Sequence, residues 1–253
     1  MITIKTPDEI RRLRIAGAKL ARIIKEVAKE VKPGINTKSL DTLAFNLMKE
    51  EGGKPALLGF KPYGARYPYP ATMCISVNAE VVHGIPGDKV LKDGDVVSLD
   101  TVFEYEGIFV DHTVTVPVGK ISPKDKELLA VCEQSLYEGI EAIKPGGTTG
   151  DIGHAVEQYV KEHKLFVVKG LAGHGVGRAI HEDPYVPNYG KPGRGDKLKP
   201  GMVLAIEPMI ARGSADIVEL ADGYTLKMAD NSRAAHFEHT VLITEDGAEI
   251  LTK

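Results

Sequence analysis

The chain has 253 residues, and its 32 Lys and Arg against 35 Asp and Glu give a formal net charge of −3. A charge this close to zero argues against nucleic acid or a membrane surface as the main partner. Hydrophobic residues make up 43% of the chain and charged residues 26%, which excludes disordered and fibrous proteins. The two cysteines are too few for a disulfide framework, and the sequence shows neither a signal peptide nor a membrane-spanning apolar stretch. We therefore expect a cytoplasmic protein.

Three segments of the first half have counterparts, in the same order, in the second half. The matched pairs are VKPGINT from Val31 with IKPGGTT from Ile143, LKDGDVVSLD from Leu91 with LKPGMVLAIE from Leu198, and DHTV from Asp111 with EHTV from Glu238. Repetition on this scale indicates two related structural units. We predict that the halves, about residues 1–120 and 121–253, pack together as a single domain over 1–253.

Each half begins with two predicted helices. The first helix has apolar residues three or four positions apart, a capping box formed by Thr6 and Glu9, and a proline at its first position. A Lys-Pro-Gly sequence follows the first helix of each half and is expected to end it. The four predicted helices cover residues 7–31, 37–51, 123–143 and 149–163.

Segments rich in Val and Ile follow the helices in each half, and their alternation at period two predicts β-strands. Helices placed before strands, in duplicate, favour an α+β layered fold over a doubly wound sheet. The glycine-rich nucleotide-binding motifs, the H-E-x-x-H zinc motif and the G-x-S-x-G nucleophile motif do not occur in the sequence. Dinucleotide-binding proteins, zincins and α/β-hydrolases are thereby excluded.

Two aspartates lie on a predicted hairpin that turns at Glu106–Gly107. Strand parity places Asp100 and Asp111 on the same face, as direct or diagonal neighbours about 5–8 Å apart. Two carboxylates this close on apolar strands repel each other unless a cation lies between them, so a divalent metal is one explanation. For the hairpin taken alone, the simpler explanation is that both carboxylates face solvent.

The second half adds two carboxylates at the positions that match those aspartates, Glu207 and Glu238. The glycine-rich segment GHGVGRAIHEDP carries His174 and His181, and His83 lies in a similar His-Gly context. Carboxylate oxygens combined with an imidazole suit a pair of divalent first-row metals bridged by carboxylates. The two halves together therefore favour a metal site.

The motifs VHGIPG, SLD, DHT, GHGVGRAIHE, IEPM and FEHT occur in this order along almost the whole chain. In this respect the chain resembles the type I methionine aminopeptidases, which have the pita-bread fold. The resemblance implies two pseudo-symmetric halves with an antiparallel sheet covered by helices. It also implies a dinuclear metallohydrolase that removes an N-terminal methionine when the next residue is small. The implied substrates are peptides with N-terminal Met and nascent chains at the ribosome, and the implied oligomeric state is a monomer.

Carried over residue by residue, the resemblance assigns five metal ligands, namely Asp100, Asp111, His174, Glu207 and Glu238. Asp111 and Glu238 would bridge two divalent ions, and Glu207 would also act as general base. His83 would contact the scissile amide, and His181 would stabilise the oxyanion. Co, Mn, Fe, Ni and Zn all suit this ligand set, so the native metal stays open.

The methionine pocket of the family corresponds to Tyr69, Cys74 and Tyr224 in this chain. A purely structural role for the Cys74 thiol is left open, because cysteine often behaves as a small buried hydrophobe. Thr113 and Thr240 lie two residues after the bridging ligands and share their face. We expect both hydroxyls to support those ligands as hydrogen-bond donors.

Three further histidines lie beside the predicted ligands. His112 and His239 directly follow the inner carboxylates, so strand parity points them to the opposite face, where we expect packing roles. His236 departs from the glutamine that many family members carry at this place. It shares the face of Glu238, and we expect it to support the metal ligands rather than to bind the metal.

Two other functions remain open at this stage. An Xaa-Pro aminopeptidase or dipeptidase would use the same fold and the same ligand set. A non-catalytic binding module would share the fold, but it would have no physical need for five ligand-type residues. Release of Met from Met-Ala peptides without cleavage of Ala-Pro peptides distinguishes the two enzymes, and a metal titration distinguishes the binding module.

Overall fold

Four α-helices flank a large sheet in the computed structural model, which describes residues 2–253. They are α1 (Pro7–Lys29), α2 (Thr37–Glu50), α3 (Pro123–Glu141) and α4 (Thr149–Glu162). Helix α1 begins with the predicted capping box, in which Thr6 and Glu9 each accept the other's backbone N–H. Each helix ends one or two residues before the predicted position, because the next residue is its C-cap and bonds back to the last turn. The four described helices include no candidate membrane span.

The described residues also form fifteen β-strands, which lie in one large sheet and two small ones. The strands are β1 (Lys54–Pro55), β2 (Cys74–Val77), β3 (Glu80–Val82), β4 (Val96–Tyr105), β5 (Ile108–Pro117), β6 (Phe166–Val167), β7 (Ala172–Gly175), β8 (Glu182–Pro187), β9 (Val203–Ile206), β10 (Met209–Ala211), β11 (Ile217–Glu219), β12 (Leu226–Met228), β13 (Ala234–His236), β14 (Glu238–Ile243) and β15 (Ala248–Ile250). The nine-stranded sheet has the order β1-β4-β5-β14-β9-β7-β8, with β2 beside β4 and β15 beside β14. The predicted α+β layering is confirmed.

The β4–β5 hairpin turns at the predicted residues. Glu106 and Gly107 have φ angles of 49° and 76°, the left-handed conformation that a two-residue hairpin turn of type I′ requires. In the register of the hairpin, Asp100 pairs with Thr113, and Asp111 lies two residues before Thr113 on β5. The two aspartates are therefore diagonal neighbours on one face, as strand parity predicts.

Strands β5 and β14 lie side by side in the large sheet, with β4 and β9 outside them. Glu238 pairs with Thr113, and His239 pairs with His112. On the face away from the carboxylates the rings of His112 and His239 stack, with centroids 4.8 Å apart. Both histidines therefore pack as expected. An approximate twofold axis between β5 and β14 would generate this strand order. The division into related halves near residue 120 stays a prediction.

The helices support the sheet from the face opposite to the carboxylates. One cluster of buried apolar side chains joins α1 and α2 to β2, β4 and β5. A second cluster joins α3 and α4 to β9 and β14. Because the hydrophobic effect of these clusters is the main source of stability, the scaffold does not depend on the carboxylates of the other face.

Candidate metal centre

The carboxylate-bearing face of the sheet forms the floor of a cavity of about 720 Å³. This volume is in the range of small-ligand sites. The cavity is lined by all of the predicted ligands, catalytic histidines and pocket residues, namely Asp100, Asp111, His174, Glu207, Glu238, His83, His181, Tyr69, Cys74 and Tyr224. His236 also lines it. Residues from distant parts of the chain therefore meet in one place.

Three of the predicted ligands form a compact group. Asp111, His174 and Glu238 each offer one ligand atom, and these atoms all lie within 4.8 Å of one another. His174 Nδ1 lies 2.9 Å from the carbonyl oxygen of Gly175. Because a carbonyl only accepts hydrogen bonds, Nδ1 is the donor, and Nε2 keeps a lone pair for a metal. Burial lowers the pKa of His174 to about 4, so this imidazole is neutral at physiological pH.

The carboxylates of the floor have strongly perturbed protonation. Burial, followed by the neighbouring carboxylates, raises the pKa of Asp111, Glu207 and Glu238 well above the usual range. Within the described chain, Asp111 Oδ1 and Glu238 Oε1 are buried without a hydrogen-bond partner. A divalent cation would bind these lone pairs and offset the repulsion. The donor set of carboxylate oxygens and imidazole nitrogen thus fits a divalent first-row metal.

Thr113 and Thr240 make different contacts between strands β5 and β14. Thr113 Oγ1 donates to Glu238 Oε2 at 2.8 Å, which is the support expected for a metal-binding carboxylate. Thr240 Oγ1 instead donates to the backbone carbonyl of Asp111 and accepts the Asp111 N–H, both at 2.8 Å. Thr240 therefore fixes the main chain of Asp111 rather than its carboxylate, because it lies on the neighbouring strand directly beside that residue.

Glu207 occupies the turn that follows β9, and its carboxylate lies between two imidazoles. Oε1 is 3.4 Å from His174 Nε2, and Oε2 is 3.4 Å from His236 Nε2. Asn188 Nδ2 donates to the backbone carbonyl of Glu207 at 2.9 Å and so anchors the turn. Asp100 completes the floor from β4, where burial raises its pKa.

The two histidines that are predicted to face the substrate, His83 and His181, line the same cavity. The ring of His181 packs edge-on against His174, with centroids 4.5 Å apart, and lies 5.9 Å from the ring of Phe60. His83 has a φ of 59°, an uncommon left-handed conformation for a residue other than glycine. Such a conformation is often found where a side chain is held for function.

The predicted methionine-pocket residues form a cluster of their own. Tyr69, Cys74 and Tyr224 pack together with Ala71, and the two tyrosine rings meet edge to face at 5.1 Å. The Tyr69 hydroxyl donates to the backbone carbonyl of Gly84 at 3.0 Å. Cys74 pairs with Asp100 across β2 and β4, so this apolar cluster adjoins the carboxylate floor. The cavity therefore has an apolar part beside its carboxylate floor.

Residues 11–245 match metallopeptidase family M24. The chain belongs to this family. Over 253 residues it is 47% identical to methionine aminopeptidase 1 of Bacillus subtilis, and the match covers 100% of both chains. It is 38% identical to the methionine aminopeptidase of Escherichia coli, over 99% of this chain and 94% of that one. The crystal structure of the methionine aminopeptidase of Thermotoga maritima superposes with a TM-score of 0.95 at 46% identity, over 100% of both chains.

These findings confirm the resemblance to the methionine aminopeptidases and, with it, the pita-bread fold. The prolidase of Pyrococcus furiosus also shares the fold, with a TM-score of 0.77 and 27% identity, but the match covers only 65% of its length. This M24 chain is therefore a metal-dependent aminopeptidase by family, and neither the Xaa-Pro peptidase nor the non-catalytic module is favoured. Use of a divalent metal follows from the family and from the group of Asp111, His174 and Glu238.

Three contacts around the M24 site were missed by sequence reasoning. The sequence contained an indication of Phe60 beside His181, because Phe60 begins the aromatic-rich segment FKPYGARYPY that leads to Tyr69. The sequence contained no indication of the contact between Asn188 and Glu207, because a single amide in a loop is ordinary. The third contact joins Lys5 to Glu182, which are 177 positions apart in the chain. Local sequence patterns cannot predict a contact between residues so far apart in the chain.

The N-terminal strap, residues 3–9, holds the segment that carries His181. Lys5 Nζ donates to Glu182 Oε2 at 2.8 Å, with side chains only 2% and 6% exposed. Glu182 Oε1 in turn accepts the backbone N–H of Ala179. Arg178 donates to both carboxylate oxygens of Glu9, at 2.6 and 2.9 Å. Two charge pairs thus join the strap to the residues on either side of His181.

Lys5→Met is expected to lower the free energy of unfolding by about 3 kcal/mol, because it leaves the buried Glu182 carboxylate without its cation. Urea unfolding followed by circular dichroism measures this change. Lys54→Met is the matched control, since Lys54 pairs with Glu104 at the surface and such pairs contribute little. Equal stability of the two variants would show that the Lys5–Glu182 pair does not hold the strap.

Proposed function

We propose that this chain releases the N-terminal methionine from peptides and nascent chains whose second residue is small. One observation carries the proposal. The apolar cluster of Tyr69, Cys74 and Tyr224 lines the same cavity as the floor of carboxylates. A methionine side chain packed against that cluster would place the following peptide bond near the carboxylates, which suits an exopeptidase.

We propose that five residues, Asp100, Asp111, His174, Glu207 and Glu238, would together hold two divalent ions. Five donors of this kind exceed what one ion needs, and the adjacent strands β5 and β14 bring the two central carboxylates together. When bound, a metal pair supplies Lewis acidity and lowers the pKa of a shared water. The donor set accepts Mn, Fe, Co, Ni or Zn.

The side chains around the ions would transfer the proton, stabilise the oxyanion and orient the substrate. Glu207 accepts a proton from the attacking water and delivers it to the leaving amine, the usual role of a general acid–base carboxylate. His181, at the cavity wall beside His174, donates to the developing oxyanion. His83, which lines the same cavity, contacts the scissile amide and orients it.

Efficient cleavage is expected for Met before Gly, Ala, Ser, Thr, Pro, Val or Cys, and poor cleavage before Leu, Phe, Lys, Arg or Glu. The residue after Met must lie against the segment of His181, where Phe60 already packs. A bulky side chain there displaces the scissile carbonyl, and a displacement of about 1 Å costs about 100-fold in rate. A Met-X-Gly series measured as kcat/KM gives the test.

Ala-Pro-Gly is the control peptide in the same assay, because an Xaa-Pro peptidase on this fold would cleave it. Equal kcat/KM for Met-Ala-Gly and Met-Phe-Gly would contradict the closed pocket. Cleavage of Ala-Pro-Gly in preference to Met-Ala-Gly would instead assign the chain to the other activity.

We further propose that the chain acts as a cytoplasmic monomer on nascent chains at the ribosome. The near-neutral charge and the family support a freely diffusing enzyme whose substrates are newly made chains. Analytical ultracentrifugation of the metal-loaded protein measures the oligomeric state, and a mass near 27.3 kDa is expected. Co-sedimentation with purified ribosomes tests the association.

A further inference from the structure

His236 is a buried imidazole whose ring nitrogens have no hydrogen-bond partner, although Glu207 Oε2 lies 3.4 Å from Nε2. Its exposed fraction is 2%, and neither Nδ1 nor Nε2 makes a hydrogen bond within the described chain. A neutral imidazole carries one donor and one acceptor, and burying both unpaired is costly. The ring lines the cavity beside the metal ligands. A bound species that contacts a ring nitrogen at this position would offset this cost.

The geometry around Glu207 indicates what that species is. His174 Nε2 and His236 Nε2 lie on opposite oxygens of the Glu207 carboxylate, each 3.4 Å away. A nitrogen at about 2.0–2.1 Å and an oxygen at about 2.0–2.2 Å from one tetrahedral ion lie roughly 3.3–3.5 Å apart. The separation on the His236 side is thus the one expected for two donors of the same ion, and it equals that of the assigned ligand His174.

The backbone of His236 is held as firmly as that of a bridging ligand. Thr115 Oγ1 accepts the His236 N–H at 2.9 Å and donates to its carbonyl at 2.7 Å. Thr240 makes the same pair of bonds with the backbone of Asp111. In both cases a threonine hydroxyl from another strand, β5 for His236 and β14 for Asp111, sets the main-chain position. The side chain of each residue lines the cavity.

We propose that His236 Nε2 is a sixth protein ligand of the metal centre, on the Oε2 side of Glu207. The centre then has two imidazoles, one on each side of this carboxylate. This inference rests on the proposed two-ion centre and extends it. It replaces the sequence-based expectation that His236 only supports the ligands. A second imidazole favours Co²⁺, Ni²⁺ and Zn²⁺ over the harder Mn²⁺.

Titration of the metal-free full chain with Co²⁺, followed by calorimetry and by proton NMR, tests the proposal. Each cobalt-bound imidazole gives one strongly shifted N–H signal, so we expect two such signals in the wild type and one in His236→Gln. We also expect Co²⁺ affinity to fall by at least about 10-fold in His236→Gln, the size of effect seen even for residues that only support a ligand. Mn²⁺ affinity should change less.

The spectroscopic count separates ligation from a supporting role. Glutamine can still donate a hydrogen bond to Glu207, so a merely supporting His236 would give one shifted signal in both proteins. That result would overturn the proposal. His163→Gln is the control, because His163 bonds to the carbonyl of Tyr159 away from the cavity, and it should match the wild type. His236→Asn serves as a second variant if His236→Gln does not fold, as judged by circular dichroism.

The calorimetric stoichiometry keeps this inference distinct from the proposed function. Binding of a single Co²⁺ ion by the wild type would contradict the two-ion centre. Two shifted signals with that single ion would still support His236 as a ligand. Two ions with one shifted signal would retain the two-ion centre and overturn the role of His236.

Discussion

Glu238→Gln and Asp111→Asn are each expected to remove nearly all peptidase activity while the protein remains folded. Both carboxylates are buried at the centre of the floor, on neighbouring strands, and each has an oxygen without a partner in the described chain. The amide keeps the shape of the side chain but loses the charge that would lie between the two ions. The measurement is kcat/KM on Met-Ala-Ser across metal concentrations.

In the metal-free protein, the same variants are expected to be as stable as the wild type or more stable. The pKa of both carboxyl groups is raised in the folded state by burial and by neighbouring carboxylates. A raised carboxyl pKa destabilises the fold at pH values above the unfolded pKa, so removing the charge should maintain or increase Tm in EDTA at pH 7. Added metal should raise the Tm of the wild type more than that of either variant.

Asp246→Asn provides a matched loss of one negative charge in the loop between β14 and β15, outside the cavity. It should leave activity and the metal-dependent increase in Tm unchanged. Full turnover by Glu238→Gln or Asp111→Asn at limiting metal would count strongly against a centre bridged by these two residues.

His181→Ala is expected to retain bound metal and to lose about 10²–10³ in kcat, the cost of removing one oxyanion donor. The ring of His181 packs edge-on against that of His174. His181 lies outside the group of Asp111, His174 and Glu238 that could hold a metal ion. Its role is therefore directed at the substrate. Single-turnover kinetics and metal analysis of the dialysed protein give the two required quantities.

The matched comparison is Phe60→Leu, which removes the aromatic contact to His181 but keeps the imidazole. It should lower kcat less than His181→Ala does. A loss of bound metal that parallels the loss of activity in His181→Ala would reassign this histidine as a ligand.

Local sequence patterns were sufficient to predict the helices, the hairpin and the face on which the first two aspartates lie. These features depend on interactions between residues close in the chain. The capping box of Thr6 and Glu9 spans three positions, and the turn at Glu106–Gly107 requires only two left-handed residues. Period-two parity then places Asp100 and Asp111 on one face without knowledge of the rest of the fold. The ligand set as a whole came from motifs, because their order along the chain matches that of the family.

Which residues contact one another over long distances in the chain depends on the tertiary fold. The adjacency of β5 and β14 directs Thr240 to the backbone of Asp111 rather than to its carboxylate. The same packing places His236 against Glu207, 29 positions away in the chain, and Lys5 against Glu182, 177 positions away. Contacts of this range are set by strand order and by the burial of whole elements. The local spacing of residues contains neither quantity, since a chain of the same pattern could pair its strands in another order.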